Sequence, residues 1–113
     1  MTPDALAEFC LSLPHAIETF PFDAETSVFK TSGNGKIFAI TDLASDPLSV
    51  SLKCDPEESE ALRAEYAQIT PGYHLNKRHW VTIVLGGEVP DELVMALIRE
   101  SHALVRPKEP RQP

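Results

Sequence analysis

Cysteine, glycine and positive charge are all scarce in this chain of 113 residues, which has two Cys, five Gly and ten Lys or Arg against seventeen Asp or Glu. Each shortage excludes a class of function. Cys10 and Cys54 have no Cys or His nearby at metal-ligand spacing, which argues against a zinc site, and both are expected to be reduced and core-facing, behaving as small hydrophobes. The glycines mark turns. "GNG" followed by Lys36 precedes a strand, whereas a phosphate cradle needs a helix N-terminus, and no serine sits in a nucleophile elbow. No nucleophile, cofactor loop or metal set emerges, so neither an enzyme nor a cofactor is expected. A formal charge of −7 repels DNA and anionic membranes at long range, so only a local basic patch could hold a polyanion. Long apolar runs are missing as well: nothing approaches the roughly 20 residues that span a bilayer. The start, MTPDALAEFC, lacks a cationic segment leading into an apolar one. A cytoplasmic protein with no membrane partner is the expectation.

What remains reads as one domain over 1–106 followed by a flexible, proline-rich tail, 107–113. Thr2 and Pro3 can open a helix with Leu6, Phe9, Cys10 and Leu13 on its buried face, and Pro14 ends it. "AIETFPF" fits a short edge strand, because Pro21 allows only an edge or a bend. "TSVFKT" and "KIFAITDL" flank "SGNG" as a hairpin. "LSVSLKC" alternates, with Leu48, Val50, Leu52 and Cys54 inward and Ser49, Ser51 and Lys53 outward. Asp55, Pro56 and Glu58 predict a capped helix with a capping box, whose stripe is Leu62, Tyr66 and Ile69. "TPGY" breaks that helix. "WVTIVLGG" is a strand. "PDELVMALIRESHALV" is a last helix, with Val94, Leu97, Ile98, Leu104 and Val105 on one stripe and Ser101 bonding back to its own backbone. Short antiparallel connections with helices on one face define an α+β domain in which the other sheet face is partly exposed.

The densest set of functional groups is "YHLNKRHW", Tyr73 to Trp80. No acid lies between Glu65 and Glu88, so Lys77 and Arg78 form a local cationic pair, which Lys30, Lys36 and Lys53 could extend across the exposed sheet face. Arg offers a bidentate fork, Lys a point charge, Asn a donor and an acceptor, and the aromatics stacking surfaces. These groups suit phosphates and bases, although the same letters also occur in loops whose aromatics merely anchor on the core. His74 and His79 lie at no standard metal spacing and read as surface residues.

The chain resembles the MmcQ/YjbR family of small bacterial proteins, from "CLSLPHAIETFPF" through "LSVSLKC" and "ITPGYHLNKRHWVTIVL" to "VPDELVMALIRESHALV". The resemblance implies a frataxin-like (CyaY-like) α+β fold, a DNA-binding role, and a site at His74, Asn76, Lys77, Arg78, His79 and Trp80. In that site Lys77 and Arg78 would contact phosphates, Asn76 and the histidines would brace the loop or make polar contacts, and Trp80 would be supported by the core. Asp4 and Glu8 alone make too sparse a ridge for the iron edge that frataxin-like proteins suggest. Two functions follow: a DNA-binding module using the loop and the hairpin as wings, or an acidic adaptor that captures a small anion or a protein partner and has no nucleic-acid role.

Overall fold

Thr2 starts the first helix as its sequence requires: its Oγ1 accepts a hydrogen bond from the Ala5 amide at 3.1 Å, and α1 runs Pro3–Leu11 with Leu6 and Cys10 fully buried. The computed structural model describes residues 1–73 and 75–107; His74 and the expected tail from residue 108 onward lie outside the described residues. The edge strand β1 (Ala16–Thr19) precedes the hairpin of β2 (Thr26–Thr31) and β3 (Ile37–Asp42), and β4 (Ser49–Lys53) follows. Gly33 and Gly35 take φ of 95° and 67° in the hairpin loop, where glycine has no Cβ penalty. Then come α2 (Pro56–Glu65), β5 (Ile69–Pro71), β6 (Trp80–Val84) and α3 (Asp91–Val105). The six strands form one antiparallel sheet in the order β1-β2-β3-β4-β6-β5. Residues of all three helices share a single core with Phe29, Phe38, Leu52, Val81 and Ile83 of the strands, so the α+β layering expected from the sequence is present.

Four expectations need correction. Ile69–Pro71 was expected as a helix stripe and a break but forms β5, an outer strand in which Pro71 can sit without costing a ladder bond. Glu58 does not close a capping box; Asp55 caps α2 alone, accepting from the Glu57 amide at 3.0 Å. Leu104 leaves the buried stripe of α3 and is 55% exposed, because Ser101 and His102 take the inward positions instead. Ser101 does not bond to its own helix. Its hydroxyl donates to the Phe38 carbonyl at 2.6 Å and accepts from the Lys53 amide at 2.9 Å. Those two backbone groups are left over where the β3–β4 ladder stops at Ala39 and Leu52, so the buried serine acts as an inserted rung.

His102 is also interior: its Nε2 donates to the Pro14 carbonyl at 2.8 Å, and its ring meets the Phe38 ring edge-on at 5.1 Å. A bulge explains how Phe38 reaches it. Phe29 pairs with Ala39 but Lys30 pairs with Ile37, so Phe38 is an extra residue turned into the core.

Candidate functional site

The loop between β5 and β6, residues 72–79, is built around two residues. Gly72 lies so close to the start of β6 that a Cβ would stand 2.6 Å from the Trp80 Cβ and 3.2 Å from the Leu75 Cβ. Gly72→Ala should therefore cost about 1–3 kcal/mol in urea unfolding, the usual range for forcing one carbon into a packed site. Asn76 braces the rest: its side-chain oxygen accepts from the Arg78 amide at 3.0 Å, and its carbonyl accepts from the amides of His79 and Trp80. The His79 carbonyl accepts from the Cys54 amide at 2.8 Å, tying the loop to the end of β4.

This geometry sends the two loop cations apart. The Lys77 ammonium turns back and donates to the Gly72 carbonyl at 3.1 Å. Arg78 lines a shallow depression of about 330 Å³ beside α2, with Pro56, Glu57, Glu60 and Arg63. Exposed His79 contributes its backbone to the loop, and His74 lies outside the described residues. The loop thus does not bring Lys77 and Arg78 together at one point. The hairpin is not a free wing either, because Asn34 fastens it: Nδ2 donates to the Val105 carbonyl at 2.8 Å, and Oδ1 accepts from the Thr31 hydroxyl and the Lys36 amide. Lys36 is exposed on that fastened loop.

The sheet itself brings the remaining residues together. Strand pairing aligns Phe29, Ala39, Leu52 and Val81, all buried against the helices. One residue further along each strand the pleat points the other way. There the pairings Ile17↔Lys30 and Lys30↔Ile37 make one run on the open face and Lys53↔Trp80 another, separated where the β3–β4 ladder ends at Ala39 and Leu52. Lys30 and Lys53 stand two strands apart, ~10 Å, and Trp80 is one strand beyond. Trp80 is half-buried and belongs to this open face rather than to the core, contrary to the expected core support. The next row contains the bonded hydroxyl pair Ser51 and Thr82, 2.8 Å apart, and Thr82 Oγ1 also accepts from the Tyr73 amide at 3.0 Å. That bond ties the Tyr73 backbone to Thr82; the residue is 70% exposed.

Charge is segregated between the two faces. The helices carry nine acidic residues against Arg63 and Arg99. Within the strands the acids are only Glu18, which accepts from Ser27 on the helix side, and Asp42, at the opposite end of the open face from Lys30 and Lys53. Among the regular elements, acids concentrate on the helices, while Lys30 and Lys53 are the cations of the strands.

The negative layer shows in the titrating groups. Burial first, then Glu58, Glu100 and Asp55, push the Cys54 thiol up to about 11, and burial followed by Glu18 pushes Cys10 up to about 12, so both remain protonated and unreactive at neutral pH. Both are free and buried. Burial, then its bond to Glu100 and that carboxylate's charge, raise Glu58 from 4.5 to about 7. The folded state therefore holds this proton more tightly than the unfolded chain. Stability from this group is full below about 4.5 and is lost as pH rises through about 7. Urea unfolding should show that fall, and Glu58→Gln should flatten it.

A six-stranded antiparallel sheet backed by three helices, with a closed loop after β5, defines a small single-domain α+β class. The chain belongs to the YjbR family, whose model matches residues 11–104. It is 38% identical over 95 residues to the uncharacterized protein YbdF of Escherichia coli O157:H7, covering 84% of this chain and 76% of that one. To the uncharacterized protein YjbR of Escherichia coli strain K12 it is 32% identical over 102 residues, covering 90% and 85%. Among solved structures it is similar to the DUF419 domain protein DR2400 of Deinococcus radiodurans, with TM-score 0.86 and 53% identity, covering 91% of this chain and 77% of that one. No helix among the described residues is long and apolar enough to cross a membrane, and among them no group of three or more His, Cys, Asp or Glu could hold a metal ion.

Proposed function

We propose that the protein binds nucleic acid on the open face of its sheet, with Lys30 and Lys53 on phosphates and Trp80 stacked on a base. The observation that carries this reading is the pairing of Lys53 with the one tryptophan on the open face, with Lys30 two strands away, on the face away from the acidic helices. An aromatic on an open sheet is useful to a single strand, whose bases are free to stack, and of little use to a closed duplex. Lys36, exposed in the neighbouring hairpin loop, would supply a third cation. Lys77 and Arg78, the two cations most prominent in the sequence, are the lesser contributors, one bonded to its own loop and the other beside Glu57 and Glu60.

Three cations on a single strand predict a log–log salt slope of about −2. Fluorescence anisotropy with a labelled single-stranded 20-mer at low salt tests the proposal: saturable binding is expected, at least about tenfold tighter than for the duplex of the same sequence, given stacking of about 1–3 kcal/mol per base. Absence of saturable binding to both would end this reading. The net charge of −7 favours a second one, in which the same two lysines hold a small anion or the carboxylate of a protein partner. In that case oligonucleotides fail to bind, while a phosphorylated metabolite raises the melting temperature.

A further inference from the structure

Asn34 joins two parts of the chain that are distant in sequence. Its Oδ1 accepts from the Lys36 amide at 3.1 Å, and its Nδ2 donates at 2.8 Å to the carbonyl of Val105, the last residue of α3. The peptide groups that carry Lys36 and Arg106 are therefore no further apart than one carboxamide and two hydrogen bonds allow. Both segments are fixed independently of that bridge. The Arg106 amide donates to the His102 carbonyl at 2.9 Å, and in the hairpin the Ser32 amide donates to the His15 carbonyl at 2.8 Å. The two cations so juxtaposed are exposed, and among the described residues neither side chain is in an ion pair or a hydrogen bond. No acid lies between Glu25 and Asp42 along the hairpin, and α3 has none after Glu100.

Like charges held side by side repel, and an anion placed between them removes the repulsion. The carbonyl end of α3 supplies roughly half a negative charge, too little to act as counterion to two full positive ones, and Asn34 already occupies one of its carbonyls. A guanidinium and an ammonium together match a phosphate, the first through parallel donors and the second as a point charge. The position also fits the path of a strand across the sheet. Lys36 adjoins Ile37, the partner of Lys30, and its carbonyl accepts from the Thr31 amide at 2.9 Å, so the pair lies at the hairpin end of the strand that carries Lys30. We infer that Lys36 and Arg106 clamp a single phosphate of the bound nucleic-acid strand, with Asn34 as the positioning residue that holds the two cations together. The inference rests on nucleic-acid binding at the sheet and extends that contact from the strands to the end of α3.

The test is a titration of the full chain with a labelled oligothymidylate strand at several salt concentrations, accompanied by amide NMR shifts. The strand should shift the amides of Ser32, Lys36 and Arg106; inorganic phosphate at the same concentration should not, because alone it lacks the contacts at Lys30, Lys53 and Trp80. Since two cations serve one phosphate, Lys36→Ala or Arg106→Ala alone should leave the salt slope unchanged and weaken binding by less than about threefold. The double variant should lose about 0.7 from the slope and about eightfold in affinity at about 50 mM salt. Asn34→Ala keeps both charges, yet combined with Lys36→Ala it should produce the same loss of slope, which a merely structural role for Asn34 would not. Tryptophan quenching by the strand should persist in every variant. The clamp is overturned if the strand quenches Trp80 without moving those three amides, if inorganic phosphate alone saturates them, or if the double variant keeps the parent slope. It is equally overturned if each single variant lowers the slope by about 0.7, which would mean two phosphates held separately. Failure of the nucleic-acid reading itself looks different: no strand binds the parent protein and no quenching appears, and the clamp falls with it.

Discussion

Alanine at both Lys30 and Lys53 is expected to weaken binding of a single-stranded oligonucleotide by roughly 50-fold at about 50 mM salt. Releasing counterions from one neutralised phosphate of a single strand contributes about 1.2 kcal/mol at that salt, and two such contacts are lost. The same variant should reduce the salt slope by about 1.4, leaving little dependence on salt. Alanine at Lys77 and Arg78 should have a smaller effect, because one ammonium already donates to the Gly72 carbonyl and the guanidinium lies beside α2 with Glu57 and Glu60. This ordering separates a sheet-face site from a loop site. If the loop pair proved dominant, the open sheet face would lose its claim. Neither pair of substitutions removes a core contact, and unfolding curves close to those of the parent protein should accompany both.

Ser101→Ala is expected to cost about 2–4 kcal/mol of stability, because it leaves the Phe38 carbonyl and the Lys53 amide without partners inside the protein, each at about 1–3 kcal/mol. For a domain of this size that corresponds to a melting temperature lower by roughly 10–25 °C, which calorimetry would register directly. The loss is large for a single hydroxyl because the serine is fully buried and satisfies both sides of an interrupted ladder. Its effect should also reach the sheet face, since the Lys53 backbone is one of the two groups it holds. Binding by the Ser101→Ala variant should therefore weaken even at temperatures where it remains folded. A drop in melting temperature below about 5 °C would mean that the two backbone groups find other partners.

The elements that periodicity can identify were legible in the sequence. Leu6 and Cys10, Val50 and Leu52, and Val94, Leu97 and Ile98 all point inward as their spacing demands, and Thr2 and Asp55 cap the helices they precede. What spacing cannot give is which strands meet. The β4–β6 pairing crosses α2 and β5, and only that pairing sets Trp80 beside Lys53. Lys53 was expected to face outward from the alternation of its strand, and Lys30, Lys36 and Lys53 were expected to extend a patch centred on Lys77 and Arg78; that Trp80 stands beside Lys53 was not expected, because a tryptophan before an apolar strand reads as core. The prominence of Lys77 and Arg78 reflected a lack of acids nearby in sequence. In space the acids of α2 return beside Arg78, at a distance along the chain that no local window reveals. Ser101 was misread, and the interior place of His102 missed, for a related reason: a polar residue on an apolar helix stripe bonds to whatever the opposite layer leaves unsatisfied, and a bulge at Phe38 cannot be seen before its partner strand is known.

The central claim concerns Trp80, and the protein contains no other tryptophan. Titrating an unlabelled oligothymidylate strand into the protein at low salt, while following tryptophan emission, reads that position alone. Saturable quenching is predicted, reversed by added salt and lost in the Lys30→Ala, Lys53→Ala double variant. Emission that stays constant while the strand demonstrably binds would place the contact elsewhere on the molecule and contradict a site on the open sheet face.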